Sequence, residues 1–124
     1  RLEYRSLRFE NRRLPIADYQ GNAVVNYTSA DVPYTRIIEH KHFEFGHQPG
    51  TVITYEYPDD FARGKEPYYP INDTRNSLLY DKYRELSATT PGVIFGGRLG
   101  LYTYADMDDT IDAALKLCKT ELKR

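Results

Sequence analysis

Residues 51–57 read TVITYEY, and their side chains would alternate between the two faces of an extended chain. One face would carry Thr51, Ile53, Tyr55 and Tyr57, and the other Val52, Thr54 and Glu56. The segment is rich in β-branched and aromatic residues, and Pro49-Gly50 precedes it as a turn. This pattern predicts a β-strand.

Three further segments in the first half of the chain show strand character. They are residues 4–10 (YRSLRFE), 22–28 (NAVVNYT) and 34–43 (YTRIIEHKHF). Residues 11–21 are a polar connection that contains Pro15. Because these connections are short, the strands are expected to pair antiparallel.

The second half mixes extended and helical segments. Residues 58–67 are predicted to form a loop, and residues 67–71 (PYYPI) an extended segment, because residues that precede proline avoid the helical region. A helix is predicted over residues 74–88, with Asp73 or Thr74 as its N-cap. Its apolar stripe would consist of Leu79, Tyr83 and Leu86.

The end of the chain is predicted as strand, turn and helix. Residues 93–100 (VIFGGRLG) are predicted to form an apolar strand that runs into a glycine-rich turn, and a helix is predicted to start near Asp106. Apolar residues repeat at helical spacing at Ile111, Ala114, Leu115, Cys118 and Leu122, so Cys118 is expected in the core. Charges that complement the helix dipole lie at the start (Asp106, Asp108, Asp109) and at the end (Lys119, Lys123, Arg124).

These segments predict a single α+β domain, mostly antiparallel sheet with two helices. The composition is ordinary for a soluble globular protein, with 40% hydrophobic and 28% charged residues. A net charge of −1 and the absence of a long apolar run argue against nucleic-acid and membrane binding. One cysteine excludes an intrachain disulfide and favours a cytosolic setting. The chain starts at Arg1 inside a strand-like segment, so we expect an excised piece of a longer protein.

Asn26 and Arg36 are the first candidates for a binding site. They lie on neighbouring predicted strands, and a strand arginine can present a fixed guanidinium fork to a diphosphate. The alternative is a salt bridge between Arg36 and Glu39 or Glu56. Composition alone favours the salt bridge, because most sheet arginines are structural or solvated.

Two further motifs combine aromatic or glycine residues with a site for anions. In PYYPI, the prolines would hold Tyr68 and Tyr69 extended, with their rings on opposite sides of the chain. One ring could then face a ligand, or the pair could cover a sheet edge. In GGRLGLYTYADMD (96–108), glycines lead to a helix N-terminus whose N–H groups attract anions. The alternative is a tight turn that Asp106 caps.

Other chemistry is disfavoured. His40 and His42 would share a strand face with His47 nearby, but no carboxylate or cysteine completes a recognisable metal-ligand pattern, so no metal site is predicted. The Asp59-Asp60 and Asp106/Asp108 pairs suit turns better than a glycosidase acid–base pair.

Five segments, in order and in register, closely resemble the C-terminal region of bacterial UDP-galactopyranose mutases. They are YRSLRFE, NYT, VPYTRIIEHKHF, PYYPIND and IFGGRLGLYTYADMD, and the resemblance extends over essentially all 124 residues. Members of that family are FAD-dependent isomerases of bacterial surface-glycan synthesis. They interconvert UDP-galactopyranose and UDP-galactofuranose through an adduct between the sugar and the flavin nitrogen.

The resemblance implies roles for individual residues. Arg36 resembles the arginine that neutralises the substrate diphosphate, and Tyr69 and Tyr104 resemble tyrosines that contact it. Further substrate contacts would come from Asn26 and Glu56. The residues that match catalytic positions are Arg36, Tyr104 and Asp106. Flavin contacts would come from Arg98, Met107, Asp108, Asp109, Thr110, Ile111 and Asp112.

The sequence departs from the family's pattern by omission. It lacks the amino-terminal GxGxxG segment, the helical uridine-binding domain and the mobile loop with its arginine. We therefore expect an inactive fragment with an incomplete FAD site, and the oligomeric state of the parent protein stays open. Two alternatives remain: a non-catalytic, tyrosine-rich module that binds carbohydrate or nucleotide, and a simple interaction domain.

Overall fold

A computed structural model describes residues 1–122 and has the predicted α+β class. The strands are β1 (Tyr4–Leu14), β2 (Val24–Asn26), β3 (Arg36–Glu39), β4 (Thr51–Asp60) and β5 (Tyr69–Pro70). They hydrogen-bond in the order β2-β3-β4-β1-β5. The helices are α1 (Thr74–Ala88), α2 (Gly97–Gly100), α3 (Met107–Glu121) and a 3₁₀ helix at His40–Glu44. No helix in the described range is long and apolar enough to cross a membrane.

The chain divides into two compact units. The sheet unit is Ser6–Asp60, and it contains β2, β3, β4 and most of β1. The helical unit combines Arg1–Arg5 with the chain from Phe61 onward, and it contains β5 and all three α-helices.

The core of the sheet unit lies on one face of β3 and β4. Ile37, Ile53 and Tyr55 are buried there, and Ile37 pairs directly with Tyr55 in antiparallel register. Partly buried side chains surround them, namely Leu14, Tyr27, Tyr34 and Tyr57. The predicted alternation of residues 51–57 is confirmed for Ile53 and Tyr55, because residues two apart on a strand share a face.

The predicted strand over residues 34–43 is confirmed only for Arg36–Glu39, and a 3₁₀ helix begins at His40. Lys41 in this helix is buried, and its Nζ donates hydrogen bonds to the carbonyl oxygens of Ala17 (2.5 Å) and Gln48 (2.6 Å). A buried ammonium group needs such acceptors, so these distant carbonyls favour the turn over a longer strand. His40 and His42 therefore do not share a strand face.

Helix α1 has the predicted bounds and the PYYPI segment is extended, but the predicted apolar stripe of α1 is wrong at Tyr83 and Leu86, which are 38% and 62% exposed. Asp73 is the N-cap of α1, and its carboxylate accepts a hydrogen bond of 2.7 Å from the backbone N–H of Asn76. In β5, Tyr69 pairs antiparallel with Arg5. Both elements lie in the helical unit.

The predicted strand over residues 93–100 is wrong. Residues 93–96 have no regular structure, and residues 97–100 form the short helix α2. Gly97 has a φ of 71°, a left-handed conformation that glycine adopts without steric cost. The side chains of Val93 and Ile94 are exposed, and an apolar run becomes a strand only where a partner strand accepts its hydrogen bonds.

Helix α3 is confirmed, but its predicted core stripe is wrong. Ile111, Leu115 and Leu122 are 60%, 56% and 86% exposed, and Cys118 is exposed as well. The face that is partly buried carries Thr110, Ala113 and Leu117 instead. Helical periodicity identifies an apolar face but not what covers it. Of the predicted basic residues at the helix end, Lys119 lies in the last turn, whereas Lys123 and Arg124 lie outside the described residues.

Candidate functional site

Three predicted substrate-binding residues lie in one row across the sheet unit. Asn26 of β2 pairs with Arg36 of β3, and Arg36 pairs with Glu56 of β4. Directly opposed residues of antiparallel strands project to the same face, so the three side chains stand side by side. This face is opposite to the one that carries Ile37 and Tyr55, which leaves the row outside the core. Asn26, Arg36 and Glu56 are called the polar row.

Arg36 forms an ion pair with Glu56, as the alternative interpretation predicted. Its Nε lies 3.2 Å from Oε1 of Glu56. Thr35 holds the same carboxylate in place, because its hydroxyl donates a hydrogen bond of 2.8 Å to Oε1. Glu56 is 6% exposed, whereas 39% of the Arg36 side chain is exposed. The carboxylate therefore pairs with the buried Nε of the guanidinium without an aligned hydrogen bond, while part of the Arg36 side chain stays exposed to a ligand.

A second group of predicted residues lies in the helical unit. The guanidinium carbon of Arg98 lies 5.0 Å from the ring centre of Tyr69 and 5.4 Å from that of Tyr104, within the range of cation–π contacts. Nη2 of Arg98 donates a hydrogen bond of 2.6 Å to the carbonyl of Tyr68. The two rings stack with their centres 6.1 Å apart. We call Arg98, Tyr69 and Tyr104 the Arg98 cluster.

The hydroxyl groups of the Arg98 cluster are available for a ligand. Neither the Tyr69 nor the Tyr104 hydroxyl has a hydrogen-bond partner in the described part of the chain, and Tyr104 is 60% exposed. A phenol donates and accepts hydrogen bonds, and here each one lies beside a guanidinium. This combination of donors suits an anionic or electron-rich oxygen.

The N-terminus of α3 borders the Arg98 cluster across a cavity of about 230 Å³. Arg98, Tyr104, Asp109 and Thr110 all line it. Asp106 occupies the N-cap position, but its side chain makes no capping hydrogen bond. The first N–H groups of α3 therefore lack the usual side-chain acceptor, and the Asp106 carboxylate is not committed to the helix. A flavin carbonyl oxygen would fit these donors, since helix N-termini favour electron-rich groups.

The other predicted flavin contacts lie around this helix start. Met107 and Ile111 are 85% and 60% exposed, and Asp108 is exposed. Asp112 forms an ion pair of 2.6 Å with Lys116 one turn later. The side chains of Asp109 and Thr110 are thus the ones of this set that line the cavity.

Sequence reasoning missed Tyr102, which organises the helical unit. Its side chain is 5% exposed, and its backbone has a φ of 50°. The hydroxyl donates a hydrogen bond of 2.6 Å to the carbonyl of Glu3 and accepts one of 3.2 Å from the N–H of Ile71. Tyr102 is the first tyrosine of LYTY, and the spacing alone gives no signal that it is buried while Tyr104 is exposed.

A family model for UDP-galactopyranose mutase matches residues 1–104. The chain belongs to that family. The matched range contains the polar row and the Arg98 cluster. Helix α3 lies beyond it.

Individual relatives match nearly the whole chain. A probable UDP-galactopyranose mutase of Klebsiella pneumoniae is 47% identical over 94% of this chain and 30% of its own length. A dTDP-fucopyranose mutase of Escherichia coli is 35% identical over 98% of this chain and 33% of its own length. A UDP-galactopyranose mutase of Mycoplasma pneumoniae is 38% identical over 98% of this chain and 31% of its own length. The chain thus spans about a third of the length of these relatives.

Proposed function

We propose that this chain is the C-terminal portion of an FAD-dependent UDP-galactopyranose mutase, which interconverts UDP-galactopyranose and UDP-galactofuranose in the cytoplasm. The family membership and the 47% identical relative support the activity of the parent protein. The fragment supplies diphosphate and flavin contacts, and by itself it is inactive, since it spans about a third of its relatives.

The polar row binds the substrate diphosphate. Arg36 presents its outer N–H groups to the phosphate oxygens, and Glu56 and Thr35 hold the guanidinium in orientation. A fixed guanidinium fork stabilises the negative charge that grows on the diphosphate as it leaves the sugar. Asn26, beside Arg36 in the row, adds an amide that hydrogen-bonds to the same ligand.

The Arg98 cluster and the start of α3 contact the flavin and the substrate in the parent enzyme. Reduced FAD, when bound, supplies the nucleophilic nitrogen of the reaction. Arg98 and the uncapped N–H groups of α3 bind electron-rich atoms of the flavin, while the hydroxyls of Tyr69 and Tyr104 orient the diphosphate. Asp106, whose carboxylate is not used for capping, lies at the active site of the parent enzyme.

The exposed stripe of α3 supports the fragment proposal. Ile111, Leu115, Cys118 and Leu122 form one apolar face that no described residue covers. A helix face of this kind is normally buried, because about 25 cal/mol per Å² of apolar surface is gained when water is excluded. The rest of the parent protein covers this face and completes the FAD site.

The Arg98 cluster is the observation that carries this proposal. Sequence analysis took its residues from two separate motifs, PYYPI and GGRLGLYTYADMD, and in the structure one guanidinium contacts both rings. A structural pair of tyrosines at a sheet edge would not need a cation over both rings or two hydroxyls without partners. The contact geometry favours a binding site over a simple interaction domain, and the flavin assay below separates a mutase from a non-catalytic module that binds carbohydrate or nucleotide.

Expression of the intact parent protein tests the proposal. We expect the purified protein to show a flavin absorption spectrum and, after reduction, to convert UDP-galactofuranose to UDP-galactopyranose. The 124-residue chain alone should show neither. The proposal fails if the intact protein lacks flavin. It also fails if the isolated chain binds flavin stably or converts UDP-galactofuranose to UDP-galactopyranose.

The same assay decides between two sugar nucleotides. One relative, 35% identical, is named dTDP-fucopyranose mutase. The second candidate substrate is therefore dTDP-fucopyranose, a deoxysugar nucleotide with a thymine base. We expect UDP-galactose to have the higher kcat/KM, because two relatives with higher identity, 47% and 38%, carry that name. A higher kcat/KM with dTDP-fucopyranose would replace the first assignment by the second.

A further inference from the structure

Three side chains that belong to no substrate or flavin contact meet in the sheet unit. They are Asp18 from the connection after β1, Glu39 at the end of β3 and His42 in the 3₁₀ helix. Their ligand atoms all lie within 4.8 Å of one another. Sequence analysis had found no carboxylate to complete a metal-ligand pattern around the histidines.

The distances in this group match the edges of a metal coordination shell. Nε2 of His42 lies 3.2 Å from Oε2 of Glu39 and 3.5 Å from Oδ1 of Asp18. In a tetrahedral zinc site with bonds of about 2.0–2.2 Å, neighbouring ligand atoms are about 3.3–3.6 Å apart. The two measured separations therefore fit without a change of backbone. The side chain of Asp18 is 54% exposed, and its Oδ1 also accepts a hydrogen bond of 2.6 Å from the backbone N–H of Gly21.

The nitrogen at the centre of the group is enclosed and lacks an aligned hydrogen bond. Nε2 of His42 is buried, and it forms a hydrogen bond with no atom of the described residues, although two carboxylate oxygens lie near it. A buried polar atom without a partner is uncommon in folded proteins and is often explained by an ion or a water molecule. A metal bond to this nitrogen would satisfy it.

Glu39 is preorganised as a ligand. Its side chain is completely buried, and its oxygens accept hydrogen bonds from the backbone N–H groups of Tyr19 (3.0 Å) and Gln20 (2.9 Å). Such outer contacts hold a metal ligand in position.

One side of the group is open for a fourth ligand. Asp18 and His42 line a surface cavity of about 410 Å³, together with His47 and the buried Lys41. The ammonium of Lys41 opposes a cation, but the two carboxylates of Asp18 and Glu39 outnumber it. The open side is typical of a site in which water completes the coordination.

We propose that Asp18, Glu39 and His42 bind one Zn²⁺ ion, with water as the fourth ligand. One imidazole and two carboxylates form a mixed nitrogen and oxygen donor set that zinc accepts and magnesium does not prefer. The ion ties the connection between β1 and β2 to the end of β3. The site lies within the sheet unit and is independent of the sugar-nucleotide proposal.

Isothermal titration of the 124-residue chain tests this site. The titrated protein should be prepared without a histidine tag and treated with a chelator to remove bound metal. It should also carry Cys118→Ser, because the exposed thiol could bind zinc itself. We expect saturable 1:1 binding of ZnCl₂ and none of MgCl₂ at the same concentration. With Co²⁺, the visible spectrum should show the d–d bands of a four-coordinate ion.

Three variants assign the ligands. His42→Ala should weaken zinc binding by more than about 100-fold, a loss larger than that of an outer contact, and Asp18→Asn should weaken it by at least about tenfold. His40→Ala is the matched control, because His40 contacts Thr54 outside the group. This variant should bind zinc as tightly as the 124-residue chain without ligand substitutions. Circular dichroism checks that each variant is folded.

The proposal is overturned if the 124-residue chain without ligand substitutions shows no saturable zinc binding. It is also overturned if Asp18→Asn, which preserves the size of the side chain, binds zinc as tightly as that chain. An equal loss in His40→Ala and His42→Ala would likewise exclude this ligand set. None of these results depends on mutase activity, so failure here leaves the proposed function intact.

Discussion

Substitution of Arg36 by alanine in the intact parent protein should nearly abolish turnover while flavin stays bound. The substitution removes the guanidinium that we place against the substrate diphosphate, and it leaves the Arg98 cluster untouched. A charge pair about 4 Å apart is worth about 4 kcal/mol at an effective dielectric constant of about 20. Glu56, 3.2 Å from Nε of Arg36, already offsets part of that charge, so we expect a loss of about 3–4 kcal/mol.

This loss corresponds to a decrease of about 10²–10³-fold in kcat/KM. The assay is chromatographic separation of UDP-galactopyranose from UDP-galactofuranose with chemically reduced enzyme, normalised to bound flavin by absorbance. Arg36→Lys keeps the charge but not the fork, so we expect it to fall between the parent enzyme and Arg36→Ala.

Arg12→Ala is the matched control for Arg36→Ala. Arg12 also lies in the sheet unit, where it pairs with Glu10 at 2.6 Å and stacks over Tyr55, and its side chain is 52% exposed. We expect its kcat/KM to stay within about threefold of the parent enzyme, because exposed ion pairs contribute little. If Arg36→Ala retains activity within the same range as Arg12→Ala, Arg36 does not bind the diphosphate. A parallel loss of flavin would show that it acts through the fold instead.

Three other predictions concern stability. Tyr102→Phe should lower the free energy of unfolding by about 0.5–1.5 kcal/mol in urea denaturation, because the carbonyl of Glu3 and the N–H of Ile71 each lose a hydrogen bond to the hydroxyl and keep the 3.3 Å bond between them; an unchanged midpoint would contradict this. The pKa of Tyr55 is raised from 10.0 to about 12 by its hydrogen bond with Tyr19 and by burial, so its neutral form stabilises the fold below pH 10. Up to about 2–3 kcal/mol of that stability should be lost as the pH rises toward 12, and the loss should shrink in Tyr55→Phe. Leu115→Glu, at a position 56% exposed, should change the free energy of unfolding of this chain by no more than about 0.5 kcal/mol. In the intact protein the same substitution should prevent flavin binding. A normal flavin content would show that α3 does not pack against the rest of the parent protein.

The strands and the capped helix could be predicted because their signals are local. The alternation in TVITYEY places Ile53 and Tyr55 on one face whatever lies beyond it, and Asp73 caps α1 through an N–H three residues away. The pairing of Arg36 with Glu56 was likewise one of two alternatives that the strand pattern allowed. The strand and cap predictions needed only the geometry of a few consecutive residues, whereas the Arg36–Glu56 pair depends on which strand lies beside β3.

The errors share a different cause. The strand expected through residue 43 ends at Glu39 because Lys41 reaches carbonyl oxygens of Ala17 and Gln48. The apolar run at 93–96 finds no partner strand among the described residues, and the stripe of α3 finds no cover. In each case, segments far away in the chain decide the conformation, and periodicity carries no information about them.

The sequence by itself determined the family, the antiparallel strands and which residue types could serve a diphosphate and a flavin. Only the tertiary structure decided that Arg98 lies against both Tyr69 and Tyr104, that Tyr102 is the buried tyrosine, and that His42 meets Glu39 and Asp18. The physical reason is range. Propensity and periodicity act over a few residues, whereas a binding site needs groups that converge from separate segments, and that convergence depends on how the whole chain packs.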